Sequence, residues 1–442
     1  MIPPKPAARA RRVSLWHYWK MFRRDILSAQ PAHLYRAKMA EFRTPFFRSF
    51  LVNELSLVRQ VLIERAASFP KSERVTRGLQ PLLGRSVFVT NGREWAHQRR
   101  IIDPAFEGGR LKESFPAMLA AAEAATSRVE PGEFDVEAMA SHATADVIFR
   151  TLFSLPIEDA VARQTYDAFQ AFQRTQPVAI ASALLPWLPA RPRRAARDAA
   201  VELRGLIAKL IATRQEEISV GIAPDDLATK IMTTSDPETG QTFSEGDMVD
   251  QVAIFFLAGH ETSASLFGWA LWCLAAAPEW AEQVADESQT FWQAPSFSAL
   301  SKMPVTRNVL RETLRLYPPV PMLVRETTEA ARFRDRDIAE GAQIVISPWH
   351  LGRHEALWTE PDRFDPARWD GDTPAREAWI PFSAGPRVCP GAGFAMTEAT
   401  VLLAALMARF RFEVLDRPVP VAHLTVRSAD GIRLLAKPLE EP

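Results

Sequence analysis

The hydrophobic positions of this 442-residue chain follow a helical rhythm over most of its middle. Apolar residues recur every three to four positions from about residue 93 to 317, which is typical of helices with one buried face. The pattern changes to short runs with turn residues at 320–349, and residues 43–56 predict a short strand pair that leads into a helix. A long apolar helix follows Cys389. The sequence therefore predicts a mainly α fold with a minor β part.

No internal repeat or low-complexity linker divides the chain, so we expect one domain. Its first residues are basic, with no acidic residue before Asp25. They read most simply as a solvated arm that docks on the body, with a transit peptide or a surface-lying segment as alternatives. Residues 175–194 are apolar and broken by prolines, which is unusual for a loop. The expected parts are the arm (1–30), a small β-rich part (43–90 and 320–350) and a helical core (93–317 and 380–412) of one domain over residues 1–442.

Composition narrows the class of protein. Hydrophobic residues make up 47% and charged residues 24% of the chain, as in a soluble globular protein with a large core. A formal net charge of zero gives no reason to expect a nucleic-acid partner. Two cysteines cannot build a disulfide framework, which favours a reducing cytosol. The most apolar windows are too short or too polar at their centre to span a membrane. We therefore expect a cytoplasmic monomer, with peripheral membrane contact as an alternative.

One of the two cysteines, Cys389, has neighbours that a core cysteine does not need. Gly391 lets a flat ligand approach the backbone, and Pro390 is tolerated where a helix begins. A thiol at a helix N-terminus is favoured as thiolate by the helix dipole, and Arg387 adds a cation nearby. These features suit an axial ligand of a metal; a buried structural cysteine is the alternative.

Three other chemistries are less well supported by the same stretches. A dinucleotide fingerprint at 391–396 fails because Met396 occupies its third glycine position. A zinc-protease motif at 260–264 fails because Ala264 replaces the second histidine. A cysteine-protease dyad is not excluded by the histidine count, but nothing near Cys389 supports it.

Phe382, Gly385, Arg387, Cys389 and Gly391 fit the haem-ligand signature F-x-x-G-x-R-x-C-x-G, by which the chain resembles the cytochromes P450. The resemblance covers roughly residues 85–395. It implies the P450 fold, with haem b held between a long distal helix and the helix after Cys389. It also implies that the sulfur of Cys389 is the axial ligand of the haem iron.

Trp95 and Arg99 share one helix face at i, i+4, so an indole N–H and a guanidinium point the same way. An ordinary amphipathic helix is the alternative. The resemblance implies that both bind a haem propionate, together with Arg325 and Arg387, whereas His97 and Arg100 are expected to be surface residues.

The segment AGHET, residues 258–262, places polar groups inside an apolar helix, where burial is costly. The resemblance implies an oxygen-activation notch in which Ala258 and Gly259 leave room for dioxygen. Thr262 would hydrogen-bond the bound oxygen species and Glu261 would relay protons, as the catalytic pair. The alternative is that Thr262 only bonds back to its own i−4 carbonyl. No role is assigned to His260.

Glu312 and Arg315 lie at i, i+3 on a predicted helix. An exposed ion pair of this kind would contribute little to stability. The resemblance implies a buried structural network instead, completed by Arg363, and the segment 364–369 matches the stretch that precedes the haem loop.

The resemblance implies a haem-thiolate monooxygenase that inserts one atom of O2 into an organic substrate. Electrons would come from a separate ferredoxin- or flavodoxin-type protein with its reductase, and an acidic carrier would suit Arg99, Arg100 and Arg387. A peroxide-driven peroxygenase and a haem-binding sensor or carrier without turnover are the alternatives.

We expect an apolar substrate such as a fatty acid, terpenoid or steroid-like compound. The family's pocket would correspond to residues 72–90, 168–190 and 320–324, whose apolar side chains favour such a ligand. Packing or a membrane-facing surface is the alternative for these side chains. Carboxylate anchoring by Arg74, Arg77 or Arg85 would favour fatty acids. The residues expected in or near the pocket are Ala258, Val320, Met322 and Leu323, and the apolar set of the second stretch is Phe169, Phe172, Val178, Ile180, Leu184, Leu185 and Trp187.

Overall fold

The structure is a computed structural model that describes residues 1–10, 13–43, 48–107, 109–174, 194–371 and 374–439. The proline-broken stretch predicted as a loop therefore lies almost wholly outside the described residues, as do Val178, Ile180, Leu184, Leu185 and Trp187. Within the described residues, no helix is both long and apolar enough to cross a bilayer.

Helices dominate the described part of the chain, as the periodicity predicts. Two of them run on into π-helical turns, Gln60–Glu64 and Phe256–His260. In chain order the α-helices are α1 (Leu15–Arg24), α2 (Leu55–Arg59), α3 (Glu73–Leu83), α4 (Gly92–Ile102), α5 (Arg110–Ser127), α6 (Val136–Phe153), α7 (Ala160–Gln173), α8 (Arg194–Ser219), α9 (Leu227–Thr233), α10 (Glu245–Phe255), α11 (Glu261–Ala275), α12 (Pro278–Gln293), α13 (Pro304–Leu316), α14 (Pro348–Leu351) and α15 (Ala392–Met407).

The β part contains a mixed four-stranded sheet in the order β1–β2–β7–β4, in which only β2 and β7 run parallel. Its first hairpin begins and ends earlier than the predicted 43–56. Asn53 ends β2, because its side-chain amide donates to the carbonyls of Leu34 and Ala37. The strands are β1 (Met39–Arg43), β2 (Arg48–Val52), β3 (Gly132–Asp135), β4 (Leu323–Glu326), β5 (Ala331–Phe333), β6 (Arg336–Ile338), β7 (Gln343–Ile346), β8 (Phe410–Val414), β9 (Pro420–Ala422), β10 (Val426–Ser428) and β11 (Arg433–Pro438).

The main core forms where α11 packs against α6, α13 and α15. Trp269 of α11 stacks on Tyr317 with ring centroids 4.0 Å apart, and both side chains are fully buried. Burial of aromatic rings in such a contact is a large contribution to stability. This stack joins α11 to the end of α13, and α11 also packs directly against α15, the helix that follows Cys389.

The predicted helix over 246–277 is interrupted at the π-helical turn Phe256–His260, which separates α10 from α11. A Cβ on Gly259 would lie 2.7 Å from Cδ1 of Ile148, so the missing side chain lets α6 pack closely against the turn. Thr262 donates its hydroxyl to the carbonyl of Ala258, and Thr144 of α6 donates to the carbonyl of His260 at 3.2 Å. The hydroxyls thus satisfy carbonyls in a turn whose regular helical bonding is disturbed.

Glu312 and Arg315 form a doubly hydrogen-bonded ion pair whose side chains are both 0% exposed. The second cation of the network is Arg368, whose Nε donates to Glu312 Oε1 at 2.9 Å. The expectation that Arg363 completes the network is wrong. Its side chain pairs with Glu360 at the surface, and only its backbone carbonyl accepts a bond from Arg315. Arg363 and Arg368 both belong to the segment after residue 360, and the path of the chain turns Arg368 toward the protein interior.

Arg315→Ala should lower the free energy of unfolding by about 3–5 kcal/mol, because it leaves a buried carboxylate short of a cation. Arg363→Ala is the matched control, since it removes an arginine from the same region without touching Glu312. Chemical unfolding of both purified variants, followed by circular dichroism, measures the difference. Equal midpoints for the two variants would contradict this account.

Candidate haem-binding site

The loop that carries Cys389 is held against the N-terminal part of the chain by a close backbone approach. Gly385 has φ of 69°, and a Cβ there would lie 2.1 Å from the carbonyl oxygen of Leu62, so only glycine fits. The N–H of Cys389 donates to the carbonyl of Phe382 at 2.9 Å, which closes the loop. Helix α15 begins at Ala392 with Gly391 as its N-cap. The cysteine therefore lies in the turn before the helix, and Pro390 is not its first residue as predicted.

The thiol of Cys389 is accessible, although protein surrounds it closely. Both observations agree if the sulfur faces an internal gap. Burial raises the pKa of this thiol, while the N–H of Gly391 and the charge of Arg99 act in the opposite direction. The prediction that the helix terminus and Arg387 lower the pKa of this thiol is therefore wrong for the protein chain by itself. A metal ion at the sulfur would favour the thiolate, because binding displaces the proton.

Four cations gather around Trp95, and we call them the cationic cluster: Lys71, Arg99, Arg325 and Arg387. The guanidinium of Arg387 lies 5.1 Å from the ring centroid of Trp95, the ammonium of Lys71 lies 5.9 Å from it, and the guanidinium of Arg99 lies 6.0 Å from it. Arg325 on β4 is only 7% exposed. Burial and the neighbouring Arg387 lower its pKa to about 10.

Lys71 is the member of the cluster that the sequence did not reveal. Its backbone forms an isolated bridge with Arg325, and the side chain of Asn91 bonds both its N–H and its carbonyl, at 3.0 and 3.1 Å. Burial, with Arg387, Arg325 and Arg99 as further causes, lowers the pKa of Lys71 to about 6. No local pattern marks this lysine, because its partners come from three distant parts of the chain.

The cluster concentrates positive charge with little compensation. Arg99 pairs with Asp103 at 2.8 Å and donates to the carbonyl of Val388. Within the described ranges, Lys71, Arg325 and Arg387 form no ion pair with a carboxylate. Such a cluster is costly unless an anion joins it. Two propionate groups would supply that anion, so these residues fit haem.

The distal side of the site is the π-helical turn and the start of α11. Ala258 is accessible although Phe256, Leu257 and His260 are buried, so it faces a gap inside the fold. Glu261 is withdrawn from water. Burial raises the pKa of its carboxyl, against the effect of Arg427, whose guanidinium lies 3.9 Å away, and of Thr425.

The hydroxyl of Thr262 makes the bond to its own i−4 carbonyl that the simpler alternative predicted. This bond uses the hydroxyl proton and leaves the oxygen lone pairs available as acceptors. Ser263, the next residue, donates to Glu398 of α15 at 2.8 Å, which ties the distal helix to the helix after Cys389.

The residues expected to line the pocket differ in how deeply they are buried. Val320, Met322 and Leu323 are half-buried in the link from α13 to β4. Phe169 and Phe172 are buried in a core cluster with α10, not at a surface.

The three arginines offered as carboxylate anchors are engaged elsewhere. Arg77 pairs with Glu73 at 2.8 Å, Arg85 pairs with Glu94 at 2.5 Å, and Arg74 lies 3.6 Å from Glu326. Their charges therefore give little support to a fatty-acid anchor.

His97 and Arg100 are not the free surface residues that were expected. Both bind Asp236, at 2.6 Å each, and that carboxylate is fully buried. Hydrogen bonds from Arg100 and His97 hold the pKa of Asp236 well below its ordinary value. The pair thus anchors α4, which carries Trp95 and Arg99.

The accessible cysteine, the cationic cluster and the accessible turn at Ala258 have the chemistry that a haem-thiolate site requires. A family model described as Cytochrome P450 matches residues 30–435. The chain belongs to the cytochrome P450 family, which implies a haem iron cofactor and confirms both the predicted fold and the predicted enzyme class, a P450 monooxygenase.

Curated relatives cover most of the chain. It is 32% identical over 420 residues to a cyclooctat-9-en-7-ol 5-monooxygenase of Streptomyces melanosporofaciens, across 92% of this chain and 88% of that protein. It is 30% identical to a cyclooctatin synthase of the same organism, across 94% and 91%. It is 29% identical to a cytokinin hydroxylase of Arabidopsis thaliana, across 88% and 79%.

Lys71→Met should have opposite effects on the two forms of the protein. The haem-free chain should unfold at a higher temperature, because burying the Lys71 amine among three arginines costs more free energy than its hydrogen bonds to the carbonyls of Val87 and Thr90 contribute. The haem-bound protein should lose haem several-fold faster to an excess of apomyoglobin, because one cation of the cluster is gone. Lys112→Met, on the exposed side of α5, is the control and should change neither value. An unchanged rate of haem loss in Lys71→Met would contradict the role of Lys71.

Proposed function

We propose that the protein binds haem b, with Cys389 as axial ligand of the iron, and inserts one atom of O2 into an apolar substrate. One observation carries the proposal. Ala258, which is accessible, adjoins an acid and an alcohol, Glu261 and Thr262, on a helix tied to the Cys389 helix through Ser263 and Glu398. A carrier of haem without turnover has no use for this pair.

When bound, thiolate-ligated haem supplies the electron density that favours O–O cleavage. The protein's own groups handle protons. Burial raises the pKa of Glu261, which favours its protonated form beside the notch, and Arg427 limits how far that pKa rises. The hydroxyl oxygen of Thr262 can accept a hydrogen bond there, while its own hydrogen bond to the carbonyl of Ala258 fixes its direction. The residues that would hold the propionates are Lys71, Trp95, Arg99, Arg325 and Arg387.

Electrons would come from a separate ferredoxin- or flavodoxin-type donor with its reductase, as the family membership supports. The arginines suggested for an acidic carrier give this idea no extra support. Arg99 and Arg100 pair with Asp103 and Asp236, and Arg387 donates to the carbonyl of Ala66. A peroxide-driven reaction remains the second candidate, because the donor set around Cys389 is the same for both.

Thr262→Ala should bind haem normally but release reducing equivalents as peroxide. The reason is that the hydroxyl oxygen of Thr262, the hydrogen-bond acceptor in the notch, is lost. We expect product formed per NAD(P)H to fall about tenfold or more with a surrogate ferredoxin and reductase. Thr313→Val is the matched control, since Thr313 makes the same i−4 bond on α13. Unchanged product per NAD(P)H in Thr262→Ala would contradict the role. Turnover of the unaltered protein with peroxide alone would identify a peroxygenase, and no turnover with either would identify a sensor or carrier.

Among apolar substrates we favour a terpenoid or steroid-like compound over a fatty acid. Two relatives carry names built on cyclooctat-9-en-7-ol and cytokinin, neither of which names a fatty acid. Arg77 and Arg85, which would have anchored a carboxylate, are already paired with glutamates. The half-buried apolar side chains at 320–324 support an apolar pocket.

Titration of the ferric protein tests this preference without turnover. A monoterpene and a steroid should displace the iron-bound water and shift the haem absorption at lower concentration than lauric acid, and a small sugar should cause no shift. The expected advantage of the uncharged compounds is about tenfold, the scale of one or two buried methylene groups. A shift with the sugar alone would overturn the assignment of an apolar substrate, and tighter binding of lauric acid would restore the fatty-acid alternative.

A further inference from the structure

His260 is a buried titratable group that the proposed mechanism does not use. It ends the π-helical turn and is 1% exposed, whereas Ala258 in the same turn is accessible. Its ring therefore points away from the gap that Ala258 faces. It meets the ring of Phe169 edge-on, with centroids 5.1 Å apart, and its Nε2 lies 2.8 Å from Oγ of Ser141.

Ser141 joins His260 to a second helix. Its hydroxyl lies 3.1 Å from the hydroxyl of Tyr166 and accepts a bond from Nε2 of Gln170 at 2.8 Å. Gln170 also donates to Tyr166 at 2.9 Å. Tyr166 and Gln170 lie on α7, Ser141 lies on α6, and His260 belongs to the π-helical turn. The four side chains form a polar network between three elements, inside a contact that is otherwise apolar.

The imidazole in this network is neutral. Burial, with Arg427 as a second cause, lowers the pKa of His260 to about 3. Its carbonyl is held by Thr144 of α6, as described above, and its Nδ1 has no hydrogen-bond partner in the part of the chain that the structure describes. Both main-chain and side-chain contacts of this residue therefore lead to α6, and the side chain continues to α7.

We propose that His260 is a positioning residue that couples the placement of α7 to the shape of the π-helical turn, and hence to the notch formed by Ala258, Glu261 and Thr262. A displacement of α7 would reach the notch through this network, because His260 directly precedes Glu261 and contacts Phe169 of α7 and Ser141. Buried polar networks favour one arrangement strongly, because a partly broken network leaves groups unsatisfied. The consequence for turnover rests on the proposed function, whereas the coupling itself does not.

The matched variants separate coupling from simple packing. His260→Phe keeps a ring among Tyr166 and Phe169 but removes the bond to Ser141, and His260→Gln restores a polar group at the place of Nε2. Tyr166→Phe removes one hydroxyl from α7 without touching His260. Thr165→Val is the control on the same helix, because Thr165 is buried and, among the residues that the structure describes, its hydroxyl bonds only to the carbonyl of Val161.

Hydrogen exchange of the haem-bound protein tests the coupling directly. Tyr166→Phe should speed exchange in peptides that cover 256–262, and His260→Phe should speed it in peptides that cover 160–173, each by roughly three- to tenfold, the scale of one hydrogen bond. His260→Gln should restore most of the protection. The double variant His260→Phe/Tyr166→Phe should exchange no faster in either peptide than the single variants do, because both substitutions break the same network. If each substitution changes exchange only in its own element, or if Thr165→Val also alters 256–262, the proposal is wrong.

Peroxide release per NAD(P)H then tests the consequence for the notch, with the same surrogate ferredoxin and reductase. We expect severalfold more peroxide from His260→Phe and Tyr166→Phe, near-normal values from His260→Gln, and no change from Thr165→Val. Altered exchange with unchanged peroxide release would disprove transmission to the notch while leaving the proposed function intact. Absence of NAD(P)H oxidation in the unaltered protein would instead disprove the proposed function.

Discussion

The concentration of positive charge around Trp95 is the constraint to which the rest of the site is adjusted. Lys71 precedes α3, Arg99 lies on α4, Arg325 on β4 and Arg387 in the cysteine loop. Burial and, after it, the like charges of Arg387, Arg325 and Arg99 lower the pKa of Lys71. An anionic group among these side chains would offset that cost, as the proposed haem propionates would. The small sheet contributes to this arrangement, because its strand β4 lies beside the residues that precede α3.

A second level of organisation keeps the two sides of the site in register. The distal helix packs against the helix after Cys389 through an apolar contact and the Ser263–Glu398 hydrogen bond, and the Trp269–Tyr317 stack fixes it to the end of α13. The interruption of the distal helix lies at the level of Ala258, where accessibility is needed. The irregular π-helical turn therefore lies directly beside the tightly packed helix α11. This arrangement is expected where the proposed catalytic groups need an unusual backbone held in place.

The sequence allowed prediction of those features that a short motif specifies. The glycines, the arginine and the cysteine of residues 385–391 predict a tight loop in which glycine is required. The spacing of Trp95 and Arg99 predicts that both side chains lie on one helix face and point at a common target. Features that depend on tertiary contacts were not predictable. Whether Arg363 or Arg368 turns toward Glu312 is decided by the path of the chain after residue 360, and Lys71 acquires its environment only when three distant elements meet it.

The protonation state of Cys389 illustrates the same limit. The local pattern of helix start and nearby arginine indicates a lowered pKa, but burial by surrounding elements outweighs both effects. The hydrophobic periodicity likewise did not predict the π-helical turn. The turn depends on the packing of Gly259 against Ile148, which is a contact between two helices and not a property of either helix alone.

The cysteine loop is tied to early parts of the chain, which has a consequence for biosynthesis. Arg387 donates to the carbonyl of Ala66 across 321 residues, and Arg99 donates to that of Val388 across 289. Contacts between such distant positions form late, because loop closure must precede them. A ribosome must therefore release nearly the whole polypeptide before the haem pocket can close. Until then the carbonyl of Ala66 and the guanidinium of Arg99 lack these partners, so the two ends of the site meet only when synthesis is almost complete.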